Sequence, residues 1–222
     1  VLVAIGREAE REEVASIMRR LYIRELTTSS GGNVSLRCGD VILITPSGTD
    51  KGEMIADEIG AVTLDGKSLI PGLKLSIETE MHLEVFRNRP DVSGIVHAHP
   101  VTASAFTALD AEIDTRLTAE TWHVLGVPVR APYALMGTEE LARVVGQAVR
   151  KGNAVLMENH GVLTVGDTLF QAFDRMEVLE AAARMTWIAA TMGCSRPLSE
   201  TRIRELEEIY GRRDNKRTPA KY

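Results

Sequence analysis

The sequence predicts a single α/β domain, residues 1–222, built on a central mixed, mostly antiparallel sheet with helices on both faces. Three observations predict it. Short strand patterns alternate with helical ones along the whole chain. A Gly-Asp and an Asp-Gly pair each sit between two strand patterns as hairpin turns. No linker-like stretch divides the 222 residues, a length that suffices for one core.

The elements follow in order. Val14, Ile17, Met18, Leu21 and Tyr22 recur at helical spacing, giving an amphipathic helix that ends near Thr27. Ser29-Ser30-Gly31-Gly32-Asn33 is a glycine loop, and residues 34–37 and 41–45 are hairpin partners closed by Pro46-Ser47-Gly48. Residues 61–64 and 68–70 flank Asp65-Gly66 as a second hairpin. Residues 76–86 read as a helix with Ser76 as its N-cap and Pro90 beyond its end. Residues 93–99 form a buried strand stopped by Pro100, and residues 102–109 a helix. Residues 122–130 suggest a further strand pair and 139–151 a helix. Strands 154–157 and 162–165 enclose Glu158-Asn159-His160-Gly161, and helices follow at 167–192 and 199–210.

Composition narrows the function classes. With 44% hydrophobic and 26% charged residues, the chain has the balance of a soluble globular protein. A net charge of −5 argues against a nucleic-acid surface. The one basic cluster, residues 211–217, reads as a solvated, flexible C-terminal tail. Cys38 and Cys194 are far apart and outside any C-x-x-C, which fits a reducing cytoplasm. Residues 1–5 are too short an apolar stretch for a signal sequence, and no apolar run reaches the ~20 residues that span a bilayer.

His97 and His99 lie one residue apart on a strand, so both side chains point to one face, where two imidazoles can converge on one metal ion. His160 stands in a loop before Gly161, which allows a sharp turn. The same spacing also suits hydrogen-bonded strand histidines, and spacing alone leaves both readings open. His82 falls four residues after Glu78 on one helical face and reads as a supporting or structural partner; His123 reads as structural. Gly31-Gly32-Asn33, Ser47-Gly48 and Ser76 offer hydroxyl and N–H groups to an anion, which as individual features are also ordinary turn chemistry. Glu78, early in its helix, is either a helix-terminal charge or a metal ligand and general base.

Taken together, Ser30-Gly31-Gly32-Asn33-Val34-Ser35, Leu43-Ile44-Thr45-Pro46-Ser47-Gly48, Ser76-Ile77-Glu78-Thr79, Arg89-Pro90-Asp91 leading to Val96-His97-Ala98-His99, Ala131-Pro132-Tyr133 and Asn159-His160-Gly161 resemble, in order, the class II aldolase/adducin family. The resemblance covers residues 13–210 and is nearest to the members that cleave L-fuculose 1-phosphate. It implies a three-layer domain, Zn²⁺ (or Mn²⁺ or Co²⁺) held by His97, His99, His160 and Glu78, and Glu78 as the catalytic acid/base. It implies that Asn33, Ser47, Gly48 and Ser76 hold a sugar phosphate and that Tyr210 closes over it. The implied reaction is cleavage of a ketose 1-phosphate to dihydroxyacetone phosphate and an aldehyde through a metal-stabilised enediolate. The implied assembly is a homotetramer with sites at subunit contacts.

Departures from the family pattern cluster at the substrate's aldehyde end. Ile77 replaces a second phosphate-binding serine, Met136 replaces an aromatic, and no tyrosine stands near Leu117. The same metal site also serves sugar-acid phosphate decarboxylases and methylthioribulose-phosphate dehydratases in this family. A non-catalytic, adducin-like interaction domain would have lost the ligands that are present here.

Overall fold

A computed structural model of the protein describes residues 6–211. The expected tail therefore lies, beyond Gly211, outside the described residues, as do residues 1–5.

Seven helices and seven strands follow one another as α1 (Glu8–Ile23), β1 (Asn33–Cys38), β2 (Val41–Ile44), β3 (Gly60–Thr63), α2 (Thr79–Asn88), β4 (Gly94–Ala98), α3 (Val101–Thr107), α4 (Ala119–Leu125), β5 (Val129–Ala131), α5 (Glu139–Ala148), β6 (Ala154–Met157), β7 (Gly161–Gly166), α6 (Leu169–Met192) and α7 (Glu200–Tyr210). All the strands join one sheet in the order β3-β2-β1-β4-β7-β6-β5. Five neighbouring pairs are antiparallel and β5–β6 alone is parallel, so the sheet is mixed and mostly antiparallel as expected.

Strand alternation sorts side chains onto two faces. Val34, Leu36, Val96 and Ala98 join α1, α3, α4 and α6 in one core, while Ile95, Leu163 and Val165 join α2 and α5 in the other. The sheet is thus the middle of three layers. Buried Asn33 and Ser35, on the α2 face of β1, are the polar exceptions, and they lead to the functional site.

Three expectations are corrected. The anticipated strand pair at 122–130 is instead helix α4, capped by the Thr118 hydroxyl accepting Thr121 N–H and ended by Gly126, followed by the three-residue β5. Its Thr121, Trp122 and Val124 favour strands by propensity, but the local cap and packing against α6 decide otherwise. Residues 68–70 form only an isolated bridge, Val62 with Ser68, rather than a hairpin strand. Ser76 precedes α2 by three residues; Glu78 occupies the N-cap position, and the Ser76 hydroxyl accepts the Glu78 N–H in a local turn.

Candidate metal centre

β4 ends at the loop carrying His99, and its register places His97 opposite Asn33 on β1 and Leu163 on β7. His97 and His99 therefore share the α2 face at the C-terminal end of β4, the central strand of the sheet. His160 arrives from the β6–β7 turn, where Asn159 holds a left-handed conformation with φ of 54°. That corrects the sequence expectation that Gly161 makes the turn. Gly161 is required for a different reason: a Cβ there would overlap the His99 ring and stand 2.8 Å from Ala98 O. Gly32 is required likewise, since its φ is +69° and a Cβ would lie 2.7 Å from His97 O.

The three imidazoles offer ligand atoms that all lie within 4.8 Å of one another. Their ring centroids are 4.7 to 5.5 Å apart. His97 is fully buried, and its Nδ1–H donates to Val162 O at 2.9 Å, so Nε2 is the atom presented to the centre. Glu78, 6% exposed, closes the cluster: Oε2 stands 3.3 Å from His97 Nε2 and Oε1 3.1 Å from His160 Nε2. Neither His97 Nε2 nor Glu78 Oε1 has a hydrogen-bond partner. Buried lone pairs left unpaired and pointed at one another are the arrangement a cation satisfies.

Electrostatics agree. Burial would raise the Glu78 carboxyl, but His97, His160 and Asn33 hold it far below the usual carboxylate range. Burial works against protonating His97, yet the Glu78 charge and the Val162 carbonyl leave it raised above an ordinary histidine. Burial, with His97 and His160 beside it, lowers His99 to about 3. Positive charge is thus favoured beside Glu78, and three imidazoles with a carboxylate are a donor set that fits a divalent ion.

Around this centre the polar groups are tightly linked. Asn33 Nδ2 donates to Glu78 Oε2 at 2.8 Å and to Ser76 Oγ at 3.2 Å. His82 bonds Asn33 Oδ1 and Ser35 Oγ, so its expected tie to Glu78 runs through Asn33. Ser47 and Gly48 lie in the turn after β2, with Ser47 N–H donated to Lys74 O. Tyr210 sits apart from the histidines, on α7, its ring 5.5 Å from that of His123 on α4. Sequence reasoning missed Lys51, whose side chain is fully buried. Nothing in the stretch Thr49-Asp50-Lys51-Gly52 signals burial.

The family description Class II Aldolase and Adducin N-terminal domain matches residues 12–187. An L-fuculose phosphate aldolase of Methanococcus maripaludis is 34% identical over 176 residues, covering 79% of this chain and 95% of the relative. A 3-oxo-tetronate 4-phosphate decarboxylase of Haemophilus influenzae is 29% identical over 205 residues, covering 90% and 96%. Among solved structures, an L-fuculose 1-phosphate aldolase superposes with a TM-score of 0.82 at 28% identity, covering 91% of this chain and 98% of that one.

Proposed function

The chain belongs to the class II aldolase and adducin family, and from that premise we propose that it is a metal-dependent aldolase that cleaves a ketose 1-phosphate to dihydroxyacetone phosphate and an aldehyde. One observation carries the reading: a buried carboxylate, Glu78, faces His97 and His160 with an oxygen that no hydrogen bond satisfies.

His97, His99 and His160 would hold the ion, and three imidazoles with a carboxylate suit Zn²⁺. Bound there, a divalent cation supplies Lewis-acid polarisation of the substrate's carbonyl and adjacent hydroxyl. The chain's own groups do the rest. Glu78 takes the proton of the hydroxyl that becomes the aldehyde and returns it to the carbon left behind, while Asn33 holds its Oε2 and Oε1 stays toward His160. The hydroxyls of Ser47 and Ser76 and the Gly48 N–H bind the phosphate; the Asn33 amide, expected there too, is instead taken up by Glu78, Ser76 and His82 and orients the Ser76 hydroxyl. Burial of Glu78 and His97 excludes bulk water from the carbon that receives the proton.

The homotetramer and the role of Tyr210 belong to this proposal. Ile77, Tyr133, Leu135 and Met136 are exposed beside the site, an apolar rim that a neighbouring subunit would cover. Tyr210, packed on α4 of its own chain, would serve a site assembled at such a contact.

A second reading, a sugar-acid phosphate decarboxylase, is favoured by one observation. The relative with that name is 29% identical and aligns with 90% of the chain, about as much of it as the aldolase structure covers. Product analysis separates the two: an aldehyde released together with triose phosphate supports the aldolase, and CO₂ release supports the decarboxylase, whose loss of CO₂ from a 3-oxo-tetronate 4-phosphate also leaves triose phosphate.

A further inference from the structure

Between the two glycine loops lies a buried ammonium. Lys51 is 1% exposed, and its Nζ donates to Pro46 O at 2.6 Å. Its backbone N–H donates to Ser29 O at 2.9 Å. The same residue therefore grips the residue before Ser47 and the loop that leads to Gly31, Gly32 and Asn33. Two partnerless buried hydroxyls accompany it: Thr27 Oγ1, against Gly31 and Gly32, and Thr49 Oγ1, next after Gly48.

A buried lysine normally meets a carboxylate, because an unpaired interior charge is costly. Here the nearest acid to influence it is Glu58, and among the described residues no carboxylate pairs with Nζ. Burial accordingly draws the lysine down to about 8, so at neutral pH it remains largely charged. That leaves a cation beneath two donor-rich loops with no carboxylate paired to it among the described residues. An anion resting on those loops would provide the counter-charge.

We propose that Lys51 is the positioning residue of the phosphate pocket and its source of positive charge: Nζ and N–H fix the 46–48 loop against the 29–33 loop, and the ammonium attracts the phosphate dianion bound between them. The proposal rests on the reading that these loops hold the sugar phosphate. It replaces the picture of a pocket built from neutral donors alone. Specificity follows, since a phosphorylated sugar would be preferred through this charge while the histidine centre acts on its carbonyl end.

The test is calorimetric titration of the full-length protein with inorganic phosphate, for wild type and Lys51→Met, with zinc content measured on both. Methionine keeps the length and apolar stem without the charge. The expected result is unchanged zinc with phosphate affinity at least tenfold weaker in Lys51→Met; equal affinity overturns the proposal. If wild type itself binds no inorganic phosphate at concentrations up to ~10 mM, the phosphate pocket fails and Lys51's role falls with it. Should Lys51→Met not fold, wild-type protein carrying ¹³Cε-lysine decides. Phosphate must raise the pKa of the buried lysine among the six in the chain, and an unmoved pKa overturns the proposal.

Discussion

Asn33 Nδ2 donates to Glu78 Oε2 across 2.8 Å of buried interior, and this single bond sets the orientation of the whole network behind the histidine centre. Because the Asn33 amide nitrogen is committed to Glu78 and Ser76, its oxygen must face His82. An amide oxygen only accepts, so His82 Nε2 carries the proton and Nδ1 accepts from the Ser35 hydroxyl at 2.6 Å.

That reasoning predicts the protonation of His82. Burial, with His97 adding to it, lowers its pKa to about 3. Nitrogen NMR of ¹⁵N-histidine protein should show His82 as the neutral Nε2–H tautomer from pH 5 to 8, without titration. A protonated ring, or the opposite tautomer, would contradict the network.

Glu78→Gln keeps a side chain of the same shape that still accepts from Asn33, so folding should survive while proton transfer is lost. Turnover should fall by about 100-fold or more, with the melting temperature little changed. A rate within threefold of wild type would remove Glu78 from the chemistry.

Gly161→Ala places a methyl group where the His99 ring and Ala98 O already stand. The expected cost is about 1–3 kcal/mol of stability, as for other overpacked sites, together with weakened zinc retention because His99 is displaced. Unchanged denaturant midpoint and metal content would show that the ring has room to move.

How much of this was legible in the sequence depends on the range of the interactions. The histidines were legible because H-x-H on a strand fixes a shared face, and the sheet was legible from period-two apolar runs. Helix α4 was not, since its seven residues carry no helical period long enough to read; its Thr118 cap is local, but its partner α6 lies more than forty residues further along the chain. Lys51 was invisible for the same reason. Lysine in a polar loop reads as exposed, and only the meeting of the 29–33 and 46–48 loops buries it.

Lys51 also gives a stability test at alkaline pH. Its folded pKa, about 8, lies below the unfolded value of ~10.4. Between those values the unfolded chain binds more protons, so this group makes the fold more stable as pH rises from 8 to about 10. In phosphate-free buffer, the stability of wild type minus that of Lys51→Met should increase over that window. A flat or falling difference would mean that the lysine is not desolvated in solution.

The most direct test of the central claim combines two readings on purified protein: metal content by elemental analysis, and dihydroxyacetone phosphate released from L-fuculose 1-phosphate and related ketose 1-phosphates in a coupled assay. The account predicts about one zinc per chain, lost in His99→Ala, and triose phosphate formed only by the metal-loaded protein. A protein that binds no divalent metal after Zn²⁺ or Mn²⁺ is added, or that retains full metal in His99→Ala, would contradict it.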